Sequence, residues 1–353
     1  MSQIVGRFVI ISLLIAAVLT GLALLFMQQP GVRLSKFEQA QVNRFADAKP
    51  ETPPLDAIVV TPCAQGACLL VQVAGRDFVI GAAQGAADGL LSHGLLSGKL
   101  DGVILTDLAS EQIEGLTGLR DRSLEAGRKE LLKVYGPSGV ERVVEGLNAM
   151  LETSDVDRSV RFGQGVLPFE VAPAEAIIVD EDPTTQKFID TGVLQIYAIP
   201  VQSTVMGNEL LYRFDYEGQT LIIGGCGARL GDVKAALDVA GVETQGEAVN
   251  PVLVLPAASP EQLEIIRTQA KNAGFIRESR FATVPADKCL TAKGLANVQS
   301  NIGANLAIAT PLFPAPVSLA EVRIWENEIR SAKGKSETEL EIGRVWASRT
   351  LEK

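Results

Sequence analysis

The sequence predicts a layered α/β domain behind an N-terminal transmembrane helix, and three observations predict it. A run of 20 residues without a charge stands near the start, from Phe8 to Met27. From Leu55 onward, strand-like and helix-like patterns alternate without a repeat, which argues for one layered domain rather than a solenoid. The 353 residues are 47% hydrophobic and 21% charged, enough to bury a substantial core, and this excludes disorder, collagen and coiled coil.

Residues 1–7 form a short leader carrying Arg7. Residues 8–27, FVIISLLIAAVLTGLALLFM, hold only Ser12 and Thr20 as hydroxyls. At about 1.5 Å per residue such a helix crosses roughly 30 Å of hydrocarbon. A cleaved signal peptide has a shorter apolar region, about 7–15 residues, and a small-x-small cleavage site that MQQPG does not supply. The expectation is an uncleaved single-pass anchor. Arg33, Lys36 and Arg44 after the span favour a cytoplasmic domain by simple count, whereas the short leader with Arg7 has the character of a signal-anchor start. We therefore expect an exported domain on the periplasmic side. Oxidation of Cys63 with Cys68 is then open, two buried thiols being equally compatible. Four cysteines in so long a chain are not a disulfide scaffold. Residues 28–54, of mixed charge and closing on Pro50, Pro53 and Pro54, read as a stalk before a domain over residues 55–350.

Within that domain, Ala57 to Thr61, Cys68 to Val73, Arg76 to Ile80 and Asp101 to Thr106 have strand patterns. Helices are expected near Glu111 to Leu119, Val140 to Leu151 and Asp232 to Val239. The helix after Ser259 is best marked: Ser259 as N-cap, Pro260 in the first turn, Gln262 placed to close a capping box and Gly274 past the end. Leu211 to Tyr216 and Gln219 to Ile223 flank Glu217-Gly218 as a hairpin. In Ser318 to Glu339, Val322, Trp325 and Ile329 recur at helical spacing, a packing face or, alternatively, an interaction helix.

A net charge of −10 gives no electrostatic grip on a nucleic-acid backbone. The single histidine, His93, stands among small and apolar residues and reads as a surface or cap residue, which excludes mechanisms needing several imidazoles. Thr220 to Leu237 is a strand, a turn with Gly225, Gly227 and Gly231, and a helix; its spacing is not that of a dinucleotide fingerprint. Val134 to Glu141 lacks the Lys-Ser/Thr of a phosphate loop and reads as a strand-to-helix turn. Cys226 follows a buried strand and is a candidate nucleophile, with no general base other than His93.

The order of these segments resembles the metallo-β-lactamase fold superfamily. VILTDLASEQIEGL (Val103 to Leu116) is similar to its Thr-His-x-His-x-Asp-His signature, with Thr106, Leu108, Ile113, Gly115 and Leu116 keeping the frame. Phe78 to Leu95 resembles the preceding strand and glycine turn, and Lys133 to Leu147 the segment after the motif in the ribonuclease Z and arylsulfatase-like branch. Ile199 to Gly227 resembles that branch's Pro-Val-x-His segment, hairpin and Ser-Gly-Asp-Thr turn. Cys289 to Pro314 and Leu340 to Ser348 resemble its closing elements. The resemblance implies an αββα sandwich.

It also implies where metal ligands would stand. The metal-binding His, His, Asp and His fall on Asp107, Ala109, Glu111 and Gln112; the next His on Gln202, the bridging Asp on Cys226 and the last His on Thr310. The acid that ends the preceding strand falls on Gly81. Zinc, the family's metal, needs about three imidazole, thiolate or carboxylate ligands. The frame offers only Asp107, Glu111 and Cys226, with weak amide donors at Gln112 and Gln202, so neither a metal cofactor nor catalytic residues are expected. The chain thus reads as a non-catalytic binding or scaffold pseudoenzyme whose former active-site cleft holds a protein or small molecule. The alternative is a hydrolase of phosphodiesters or sulfate esters with metal on Asp107, Glu111 and Cys226.

Overall fold

Two β-sheets stack face to face in the computed structural model, which describes residues 54–179, 187–202, 208–238, 251–272, 288–316, 318–334 and 338–351. The expected anchor at residues 8–27 and the stalk up to Pro53 lie outside the described residues. Among the described residues no helix is long and apolar enough to cross a membrane.

The first half of the chain builds one sheet and its outer helices. Strands β1 (Val59–Pro62), β2 (Leu69–Val73) and β3 (Arg76–Ile80) run antiparallel, and α1 (Ala86–Ser92) leads to the parallel strand β4 (Leu100–Ile104). Then come α2 (Ser110–Ile113), α3 (Leu116–Glu125), β5 (Leu132–Gly136), α4 (Val140–Phe162) and β6 (Ala174–Ile178). The second sheet starts with β7 (Lys187–Asp190), β8 (Leu194–Pro200), β9 (Leu210–Tyr216) and β10 (Gln219–Ile223). It is completed through α5 (Leu230–Leu237), β11 (Val252–Ala258), α6 (Pro260–Asn272), β12 (Leu290–Thr291), α7 (Ala292–Ile302), β13 (Leu306–Phe313), α8 (Leu319–Lys333) and β14 (Glu339–Ile342). Finally β15 (Arg349–Thr350) crosses back to pair with β1. The sheet orders are β15-β1-β2-β3-β4-β5-β6 and β14-β13-β11-β10-β9-β8-β7, with β12 beside β11.

Three apolar layers hold this together. Between the sheets lie Ile58, Phe78, Ile104, Tyr212, Phe214 and Ile308, all buried. Outside the first sheet, Leu90, Leu119 and Val144 of its helices pack on Leu70 and Val103. Outside the second, Val233, Leu295 and Trp325 pack on Ile222 and Leu253. Helix, sheet, sheet, helix is the expected αββα order, because each helix has one apolar stripe and each sheet two apolar faces to cover.

Local differences from the sequence reading have physical reasons. The helix expected from Glu111 to Leu119 is two, α2 and α3, because Gly115 lies so close under Ala82 and Ala83 that a Cβ would stand 2.2 Å from the Ala83 carbonyl oxygen. Helix α4 runs past Leu151 to Phe162, with Asp155 paired to the buried Arg120. Ser259 does cap α6, accepting from the Gln262 amide at 3.1 Å. The capping box is not closed: the Gln262 side chain donates to the Glu321 carbonyl at 2.8 Å, and the Ser259 amide to that of Phe313. Gly274 lies outside the described residues. In the hairpin, Glu217 and Gly218 both take positive φ, 50° and 78°, as a tight twisted turn between β9 and β10 requires. Trp325 and Ile329 of α8 are buried against the second sheet, so the helical stripe is a packing face.

Candidate functional site

Of the chain positions named by the sequence, Asp107, Ala109, Glu111, Gln112 and Cys226 meet at one end of the sandwich, beyond the carboxyl ends of β4 and β10. Asp107, in the turn after β4, is only 5% exposed. Its carboxylate accepts from the Ala109 amide at 2.8 Å and from the Thr106 hydroxyl at 3.2 Å. Thr106 in turn accepts from the Gln112 amide group at 2.7 Å, so Gln112 supports Asp107 through a hydroxyl relay. Ala109 is the N-cap of α2 and contributes no side-chain donor. Glu111, half-buried, accepts from its neighbour Ser110 at 3.1 Å. Burial pushes the Asp107 carboxyl above its ordinary range, opposed by the Ala109 and Thr106 hydrogen bonds and reinforced by the charge of Glu111.

Gln202 does not join this cluster. Its side chain is exposed, and its backbone amide donates to Asp232 of α5 at 2.8 Å. Thr310 is buried in β13, packed so closely on Gly343 that a Cβ there would stand 2.7 Å from its own. Gly81, at φ +74°, sits 2.8 Å below the Ile104 carbonyl through its amide. A side chain at Gly81 would meet the Ala67 carbonyl oxygen at 2.4 Å and Gln112 Oε1 at 2.6 Å. The turn of the β1–β2 hairpin, closed by a Cys63–Cys68 disulfide, thus fills the space that a side chain at Gly81 would need.

The cysteine reading needs correction. Cys226 is bonded to Cys289, and among the described residues no cysteine is free. All four therefore form disulfides, which a count relative to chain length could not reveal. A sulfur in a disulfide has no thiolate, so Cys226 is neither a nucleophile nor a metal ligand in this state.

Sequence reasoning missed Glu209, which precedes β9. It is 2% exposed, and both its oxygens accept from the Gly227 amide at 2.9 Å. The glycines explain the fit: a Cβ at Gly225 would lie 2.5 Å from Glu209 Oε1. The amides of the glycine-rich turn thus face an internal carboxylate rather than a pyrophosphate. Burial, and then the charge of Asp107, push Glu209 up to about 7, against the Gly227 and Ala228 amides and Arg229. Among the described residues neither Asp107 nor Glu209 is in a salt bridge. The only signal was an acid before a strand.

Space at the cluster is scant. Asp107, Glu111, Gln112 and Cys226 border a cavity of about 20 Å³, and Thr106, Gln112 and Thr310 one of about 30 Å³. Each has room for roughly one or two waters. Gln112 Oε1 is buried without a hydrogen-bond partner among the described residues. Among those residues no group of three or more His, Cys, Asp or Glu side chains could hold a metal. The donors present, two carboxylates flanked by amides, an alanine and a disulfide, do not fit zinc. His93, after α1, is an exposed cap whose ring lies 4.1 Å from that of Trp346 and 2.9 Å from the Gly89 carbonyl oxygen, far in role from any ligand.

Two stacked sheets with helices outside and a cluster at the strand ends define the metallo-β-lactamase fold, and this chain has it. It is similar to YhfI of Bacillus subtilis, a metallo-β-lactamase fold protein, at 12% identity and TM-score 0.52, over 84% of this chain and 100% of that one. A diphosphatase of the PhnP family matches at 11% identity and TM-score 0.50, over 84% of this chain and 98% of that one. No protein-family model matches the chain, and no curated protein sequence does.

Proposed function

We propose that this chain is a membrane-anchored metallo-β-lactamase-fold protein that has lost its metal centre and serves as a non-catalytic binding or scaffold protein. The observation that carries the reading is the Cys226–Cys289 disulfide, which stands where the family's bridging aspartate falls. Ala109 without a donor, Gln202 turned outward and Gly81 closed over by the Ala67 carbonyl point the same way. Cavities of about 20 and 30 Å³ favour a protein partner at the rim of the former cleft over a small molecule within it. Anchoring rests on the apolar run 8–27, and the two disulfides favour an oxidising compartment, hence an exported domain over residues 55–350.

The test is the metal content of the full chain, produced with zinc, manganese and magnesium and purified without chelator. Less than about 0.1 equivalent of each is expected, since a site that binds metal tightly retains it. A second reading, hydrolysis of phosphodiesters or sulfate esters by an unconventional metal centre, is favoured by Asp107 and Glu209, buried and, among the described residues, without a salt-bridge partner. One or two equivalents, lost on Asp107→Ala or Glu111→Ala, would establish that reading instead.

A further inference from the structure

A space far larger than the two small cavities at the strand ends lies elsewhere in the fold. A cavity of about 600 Å³ opens between the edges of the two sheets, beneath α8, where β14 faces β15. That is within the range of about 300–1,000 Å³ typical of small-molecule pockets. Its floor joins two cores: Val60, Leu69 and Ile308 from between the sheets, Ile329 and Leu340 from beneath α8, with the half-buried Ile342 at the side.

The rim has the opposite charge balance from the chain. In a protein of net charge −10, Arg330, Lys333, Arg344 and Arg349 surround this cavity against Glu326 and Glu341. Arg344 is held by Glu326 at 2.9 Å and Arg349 by Glu339 at 2.6 Å. Among the described residues Arg330 and Lys333 have no carboxylate partner, although both line the cavity from the last turn of α8. Glu341 stands 3.8 Å from Arg349, which faces its charge; burial raises its carboxyl above the ordinary range and Arg349 opposes that.

We propose that this cavity binds a small amphiphilic anion, a carboxylate or phosphate on an apolar body, with Arg330 and Lys333 receiving the head and Ile329, Leu340 and Ile342 the body. The pairing of unpartnered cations with an apolar floor is what an anion with a hydrocarbon portion requires. The site is independent of the metal question, since none of its side chains belongs to the cluster around Asp107.

Photoreactive diazirine analogues of octanoate and of octyl phosphate test it, added to the full chain in phosphatidylcholine nanodiscs, with labelled peptides mapped by mass spectrometry. Labelling within residues 326–349, competed by the unlabelled compound, is expected, and the preferred analogue identifies the head group. The double variant Arg330→Ala, Lys333→Ala should lower it roughly tenfold or more, and Ile342→Trp should abolish it by filling the space. Octanol, which lacks the anion, should not compete. Labelling scattered over the surface, or undiminished in the double variant, would overturn the proposal.

Discussion

At the scale of the residue, Glu209 carries a measurable consequence. A carboxyl moved from 4.5 to about 7 binds its proton more tightly folded than unfolded. Its contribution is therefore fully present below pH 4.5 and is lost as the pH rises through 7, opposite in sign to a salt-bridged acid. The shift corresponds to roughly 3 kcal/mol, an order-of-magnitude value. Asp107 is displaced in the same direction and adds to the slope. Urea unfolding of the chain should show stability falling between pH 5 and 8, and Glu209→Gln should flatten that fall and leave the variant the more stable at pH 8. A wild-type midpoint that climbs with pH across this window would sink the assignment.

At the scale of the element, the two disulfides do unequal work. Cys226 and Cys289 are 63 residues apart and Cys63 and Cys68 only 5. By loop-closure entropy the first stabilises by about 4 kcal/mol and the second by about 2. Replacing Cys226 and Cys289 together by serine should lower the unfolding free energy about twice as much as replacing Cys63 and Cys68; equal losses would show that the long loop is ordered without its bond. These links also mark where sequence reading stopped. Strands β1 to β4, the β9–β10 hairpin and the capped α6 announced themselves through alternation, turn residues and caps, all local signals. The pairing of Cys226 with Cys289 and the meeting of Glu209 with Gly227 join distant segments, and no periodicity records such contacts. That Asp107 to Gln112 stand together was legible because one strand-turn-helix motif carries them, whereas Gln202 and Thr310 were placed by remote alignment and do not join that cluster's hydrogen bonds.

At the scale of the whole molecule, the sandwich is shared with the similar solved structures, and its strand ends leave little space. Packing fills the strand ends: the Ala67 carbonyl stands over Gly81, a disulfide joins Cys226 to Cys289, and the glycine turn grips an internal acid. The proposed attachment to a membrane is tested at this scale too. The full chain should float with phosphatidylcholine vesicles and withstand alkaline carbonate, and removal of residues 1–30 should release it. Equal flotation of the shortened chain would refute the anchor.

The contact of His93 with Trp346 has a use of its own. The chain has one histidine and two tryptophans, and the rings of His93 and Trp346 are stacked at 4.1 Å and 11° while Trp325 is wholly enclosed. Indole emission depends on what the ring touches, so the fluorescence of Trp346 changes when its stack on His93 opens, while that of the enclosed Trp325 does not. The molecule carries a native optical gauge of whether the segment between β14 and β15 is seated on α1, and it needs no label to be read.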